Sequence, residues 1–84
     1  MILGRVIGEI HGTIKHKFYV GKRLLVVERA GGDYLIAVDS VGAGAGEDVL
    51  VLDEGNGARQ VLDSADGPVR SVVVGIVDDV TGTG

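Results

Sequence analysis

A glycine-rich loop, two histidines, three serines and a carboxylate pair are the residues in this chain with chemistry to offer. The run Gly42-Ala43-Gly44-Ala45-Gly46-Glu47 invites comparison with a phosphate cradle. A dinucleotide fingerprint needs a third glycine three residues after the second, opening a helix. Glu47 stands there instead, and an apolar strand pattern follows. A Walker loop needs Gly-Lys-Ser/Thr, which the run lacks. Its glycines read as structural, allowing close backbone approach or positive φ. His11 and His16 lie five residues apart among lysines, with no third ligand at a metal-site spacing. Ser40, Ser64 and Ser71 lack the Gly-x-Ser-x-Gly elbow, and no histidine follows them. Asp78-Asp79 reads as solvated charge at a strand end. Nothing is arranged for general acid–base or nucleophilic work. The chain reads as a non-enzyme without metal or cofactor. In Asp53–Arg59, Asn56-Gly57 predicts a tight turn with positive φ. Arg59 is a surface charge, or a planar fork binding a carboxylate across a subunit boundary.

The elements that must position these residues are short. The 84 residues fit one domain, 1–84. Fifteen glycines, fifteen valines and six isoleucines favour strands broken by turns and bulges. Apolar residues make up 45 % and charged residues 24 %, a globular balance. There are no cysteines, which removes disulfides, thiolate sites and cysteine nucleophiles. No aliphatic run approaches the ~18 residues that span a bilayer. Arg5 and Glu9 interrupt the first apolar stretch, which argues against a secretory signal. The expectation is a soluble, intracellular, mainly β domain.

Residues 2–10 alternate, with Ile2, Gly4, Val6, Gly8 and Ile10 on one face. The two glycines on that inner face suit a strand bending sharply in a small closed barrel. Residues 11–21 read as a loop or irregular hairpin. Strands follow at Lys22–Arg29, Tyr34–Val38, Val49–Leu52 and Val72–Val77, with one helical turn at Ala58–Leu62 and a loop at 63–68. Four of the five strands are apolar on both faces. A five-stranded barrel has one interior, and there are no crossover helices to cover the other side. The second face is predicted to meet other copies of the chain. A domain this small has a thin core, which points the same way. Charge is uneven: residues 1–30 carry +4 and residues 31–84 carry −8, giving the net −4. That asymmetry suits a head-to-tail contact between subunits and disfavours bulk nucleic-acid binding. An OB-like barrel that holds single-stranded nucleic acid through Lys15, Lys17, Phe18, Tyr19, Lys22 and Arg23 is the alternative.

Several segments resemble one family along nearly the whole chain. They are Gly4-x-Val6-x-Gly8, Thr13-x-Lys15, Gly21-Lys22-x-Leu24-Leu25-Val26, and the run from Ala37-x-Asp39 through Gly42-Ala43-Gly44-x-Gly46-Glu47 to Val49-Leu50. Gly55-x-x-Ala58-Arg59, Pro68-Val69 and Val74-Gly75-Ile76-Val77-Asp78 complete the pattern. It is similar to the EutN/CcmL proteins, the pentameric vertex components of bacterial microcompartment shells. The resemblance implies a five-stranded, OB-like β-barrel with a short helix. It implies five copies closing a ring at the vertices of a cytoplasmic shell (a carboxysome or metabolosome), beside hexameric shell proteins, with no nucleic acid and no membrane. It places Gly42, Ala43, Gly44, Gly46, Glu47, Gly55, Asn56, Gly57, Ala58 and Arg59 at the subunit interface or around the fivefold axis. Glu47 or a neighbouring carboxylate is expected to pair with Arg59 across subunits. Two departures stand out: Asn56-Gly57 replaces a serine-rich turn, and Arg70 stands where an acidic residue is usual.

Overall fold

The structure, a computed structural model, describes residues 1–12, 16–62 and 69–82, with nothing to say of the Asn56 side chain. Strands β1 (Ile2–Glu9), β2 (Leu24–Arg29), β3 (Tyr34–Asp39), β4 (Asp48–Asp53) and β5 (Ser71–Ile76) close a barrel in the order β1-β2-β3-β5-β4. All neighbours are antiparallel except β3 and β5. A 3-10 turn, Lys17–Tyr19, precedes β2, and helix α1, Gly55–Val61, joins β4 to β5. The expected barrel is present. The 63–68 loop lies outside the described residues.

Alternation fills the interior. Val6, Leu25, Val27, Ala37, Val49, Val51 and Val73 form one buried cluster with Ala43. These are small, stiff side chains, which suit a narrow bore. Gly4 also points inward. A Cβ there would lie 2.5 Å from Val27 Cγ1 and 2.8 Å from the Glu28 carbonyl oxygen, so β1 and β2 approach too closely for any side chain. The predicted inward phase fails beyond Val6. A bulge between Val6 and Gly8 sets Gly8 opposite Val26 and Glu9 opposite Leu25. Opposed residues share a face, so the bulge turns Gly8 to the outer face and Glu9 to the barrel end. Gly8 has open space around its Cα.

The second apolar face, predicted to meet other copies, is partly covered by the chain itself. Val38, Ala58, Val69 and Val72 form a second buried cluster, with Phe18, Tyr19, Leu24, Leu52, Leu62 and Val74 packed against it. The 3-10 turn and α1 supply the cover. On the strands, Leu3 and Ile7 of β1, Tyr34 and Ile36 of β3 and Ile76 at the end of β5 stay exposed. The helix starts at Gly55, earlier than the predicted Ala58. Glu54 caps it, its carboxylate accepting from the Gly57 amide at 3.2 Å. Asn56-Gly57 is therefore helical, and Gly57 is absent from the positive-φ glycines, contrary to the turn expected there. Its lack of a side chain has another cause: a Cβ would sit 2.7 Å from Leu52 Cδ2 and 2.9 Å from Glu54 Oε2.

The two glycines of β1 thus separate by cause. Gly4→Ala should lower unfolding stability by about 1–3 kcal/mol through overpacking. Gly8→Ala should change it by less than about 0.5 kcal/mol. Urea midpoints of the two variants check the contrast; equal losses would mean that β1 does not touch β2 as described.

Candidate assembly surfaces

The glycine loop is built around a carboxylate. Asp39 ends β3 and turns back on the chain. Its side chain accepts from the amides of Val41 at 3.0 Å, Gly42 at 3.0 Å and Ala43 at 3.3 Å. The loop's amides thus already face an anion supplied by the chain, which leaves no phosphate cradle of the kind first considered. Gly42 and Gly46 hold φ of +80° and +90°, backbone that other residues rarely adopt. Ala43 drops into the barrel cluster. Glu47 closes the loop, its Oε1 accepting from the Gly44 amide at 2.7 Å. The loop then bonds to β1, with Gly46 N–H donating to Val6 O and Val6 N–H to Glu47 O.

Arg23 fastens this loop to the barrel. Its Nη1 donates to Asp39 Oδ2 at 2.8 Å and to the Ala43 carbonyl at 2.9 Å, while Nε donates to Glu9 Oε1 at 2.6 Å. One planar guanidinium therefore ties the ends of β1 and β3 to the loop between β3 and β4. The Asp39 carboxylate is almost wholly buried, at 4 % exposure, so its four donors stand in for lost water.

A second polar cluster lies at the other end of β4. Arg70 Nε donates to Asp53 Oδ1 at 3.2 Å, and the Ser71 hydroxyl donates to the same oxygen. The hydrogen bond from Ser71, then that from Arg70 and its charge, hold the Asp53 carboxyl below the usual carboxylate range, against partial burial. The unusual Arg70 thus has an acidic partner in its own chain. Arg5 and Asp48, opposed across β1 and β4, pair at 2.8 Å. Arg5's hydrogen bond and charge lower the Asp48 carboxyl in turn.

Of the residues expected at an interface, Gly42 to Glu47 sit before β4 and Gly55 to Arg59 after it. The six residues of β4 separate the groups by roughly 17 Å at 3.3 Å per residue. Within one chain Glu47 and Arg59 are therefore held apart. Ala58 is fully buried under the helix, and the Arg59 guanidinium lies against Gly55. The Arg23 clamp carries no motif, and sequence reading placed Arg23 only in a candidate nucleic-acid patch. Its spacing from Glu9 and Asp39 gives no signal before the barrel is known.

His16 Nδ1 accepts from the Phe18 amide at 3.1 Å and caps the 3-10 turn. His11 stands 3.4 Å from Glu9 on the surface. Ser40 donates to the Val73 carbonyl. Among the described residues no three His, Asp or Glu side chains converge as metal ligands. Phe18 and Tyr19 meet edge to face and pack on the second cluster. Lys22 lies over the Phe18 ring at 4.4 Å. These rings serve the core, which leaves little platform for stacking bases. Ser64 and Lys15 fall outside the described residues. No helix among them is long and apolar enough to cross a membrane.

Residues 1–78 match the family described as ethanolamine utilisation protein EutN/carboxysome. The chain belongs to the EutN/CcmL family. The bacterial microcompartment shell vertex protein EutN of Salmonella typhimurium is 40 % identical over 90 aligned residues, covering 100 % of this chain and 90 % of the relative. The carboxysome shell vertex protein CcmL of Thermosynechococcus vestitus is 37 % identical, covering 96 % and 87 %. The solved pentameric microcompartment shell protein GrpN of Rhodospirillum rubrum superposes with a TM-score of 0.85 at 40 % identity, covering 99 % of this chain and 100 % of GrpN.

Two tests follow from the polar clusters. Asp39→Ala removes the anion that organises the glycine loop and should cost about 2 kcal/mol, as for a buried acceptor of several amides. Chemical denaturation measures it, and amide exchange should rise at Val41, Gly42 and Ala43 before the barrel opens. Asp53 has a folded pKa below its unfolded one. Its contribution is complete above about pH 4, the unfolded range, and is lost as pH falls through the lowered folded value. Asp53→Asn should therefore weaken the acid limb of the stability curve while leaving its slope above pH 5 unchanged. An unaltered acid limb in thermal melts from pH 5 to pH 2 would rule Asp53 out as its source.

Proposed function

We infer that this chain is a structural subunit of a bacterial microcompartment shell, and that five copies form a ring capping a vertex. The observation that carries the reading is the end-to-end match to GrpN, a pentamer of the same fold and length at 40 % identity. The fold gives it a physical basis. The barrel leaves Leu3, Ile7, Tyr34 and Ile36 uncovered after the chain has covered what it can. A head-to-tail contact that closes buries two different patches on every copy, and so uses such a surplus without leaving an end.

The chain reads as one domain and as a part rather than a catalyst. Its relatives are shell proteins, and among the described residues Asp39, Glu54, Asp48 and Asp53 hold a loop, a helix cap and ion pairs. Hexameric shell proteins are its proposed neighbours across the vertex boundary, in a shell in the cytoplasm. The loops Gly42–Glu47 and Gly55–Arg59 are the proposed boundary and axial segments. Both are well tied, by Asp39 and Arg23 in one case and by Glu54 and Gly57 in the other, so they meet a partner with little ordering cost. The pairing of Glu47 with Arg59 is proposed only between chains, since β4 separates them within one.

Native mass spectrometry at micromolar concentration should give a species of five times 8.6 kDa, about 43 kDa. A monomer or dimer would remove the vertex reading. Arg59→Ala should weaken the ring and flatten its salt dependence. If assembly and salt sensitivity are those of the parent, Glu47 and Arg59 do not pair.

A further inference from the structure

On one side of β3 only its last two residues, Val38 and Asp39, pair to close the barrel. Along β2, β3 is paired from Tyr34 to Val38. Along β5 it is paired only at Val38 and Asp39. The direction of the remaining backbone groups follows from the ladder. Arg29 N–H donates to Asp33 O, and Asp39 N–H donates to Arg23 O. Hydrogen-bonded and non-hydrogen-bonded pairs alternate in an antiparallel ladder. Leu35 and Ala37 therefore turn their N–H and C=O groups toward β2, while Tyr34 and Ile36 turn theirs to the open side. Among the described residues no strand pairs with them there. Both side chains are exposed, Tyr34 at 66 % and Ile36 at 39 %.

This edge borders a groove of about 290 Å³ lined by Tyr19, Leu24, Ile36, Val38, Val69 and Arg70. The floor is apolar, and the lip carries Arg70, whose side chain is 80 % exposed. An unpaired edge over an apolar floor is a template for an added strand.

The chain also carries a spare strand length. Beyond Ile76, the Val77 amide donates to Asp48 O. Asp78, Asp79, Val80, Thr81 and Gly82 then continue, exposed, without regular structure. Val80 is 65 % exposed. In an extended segment Asp78 and Val80 share one face, which suits an apolar floor with a cationic lip. Direction rules out the chain's own groove. β5 begins at the groove, at Ser71, and ends at Ile76, roughly 17 Å away by strand rise. The tail leaves heading away from the edge it would have to reach.

On the ring reading above, we propose that the open half of β3 takes the C-terminal segment Val77–Gly82 of the neighbouring subunit as an added strand. Val80 enters the groove, and Asp78, on the same face, meets Arg70 beside its own Asp53. Each copy then offers one acceptor edge and one donor segment, the two unlike patches that a closing head-to-tail contact requires.

The absence of native cysteines makes disulfide trapping unambiguous. Ile36→Cys is combined in turn with Asp78→Cys, Asp79→Cys and Val80→Cys, and each double variant is oxidised. At least one pair should give a ladder of up to five linked chains on a non-reducing gel, while single-cysteine variants stop at dimers. Native mass spectrometry of the same samples separates the two readings. An intact ring with no ladder, or with a monomer linked to itself, overturns the added strand and leaves the ring standing. Absence of the ring overturns both. In the cysteine-free chain, Val80→Asp should raise the concentration at which the ring dissociates by about tenfold, the loss expected for one buried valine. Its circular dichroism should match the parent's. An unshifted dissociation concentration counts against the added strand.

Discussion

One short sheet, apolar on both faces, is the constraint from which the rest of this structure follows. A barrel of five strands has a single bore, and five valines, one leucine and two alanines fill it. The residues between them in sequence must point outward, where Leu24, Val38, Leu52 and Val72 would face water. The chain answers with two small additions, a 3-10 turn carrying Phe18 and Tyr19 and a helix carrying Ala58. Their cover reaches one end of the barrel only. The outer side of β1 and the first half of β3 remain exposed. Both the architecture of the monomer and its incompleteness thus come from the same sequence pattern.

Polar residues near the barrel ends act under a related constraint. A loop rich in glycine has the least to gain from ordering and the most backbone entropy to lose. The loop after β3 is held because its amides converge on Asp39, and because Arg23 binds that carboxylate together with Glu9 and the Ala43 carbonyl. Few of these contacts are hydrophobic, yet they set where Ala43 enters the interior and where β4 begins. Glycine at these positions allows the backbone to turn, and the carboxylate decides which turn it takes.

The strands were legible because period-two alternation and β-branched residues mark them directly. Each lies within about two residues of its expected bounds, the usual uncertainty of an end. The family and its barrel were legible from motifs spread over the chain. What was not legible depended on events that leave no local mark. The bulge after Val6 reverses the phase of β1 without changing its residue types. Asn56-Gly57 carries the signature of a positive-φ turn, yet the Glu54 cap recruits it into a helix and Leu52 packs where a side chain would be. Local propensity lost there to a cap and a tertiary contact. Arg23 joins residues that are distant in sequence, so its role appears only once β1, β2 and β3 lie side by side.

The exposed half-strand and the uncovered apolar residues belong together energetically. An isolated domain of 84 residues buries a smaller share of its unfolded surface than a larger domain does, and an open strand edge adds a risk of unregulated pairing. Covering that edge with helix or loop would have required more chain. In the proposed ring each copy's uncovered surface becomes its neighbour's core, with no extra chain needed. The cost is that a single copy keeps apolar side chains and backbone groups in water until it assembles. A part built this way has its full apolar burial only within such a ring. At the proposed vertex every copy has two identical neighbours, one for each of its two unlike patches.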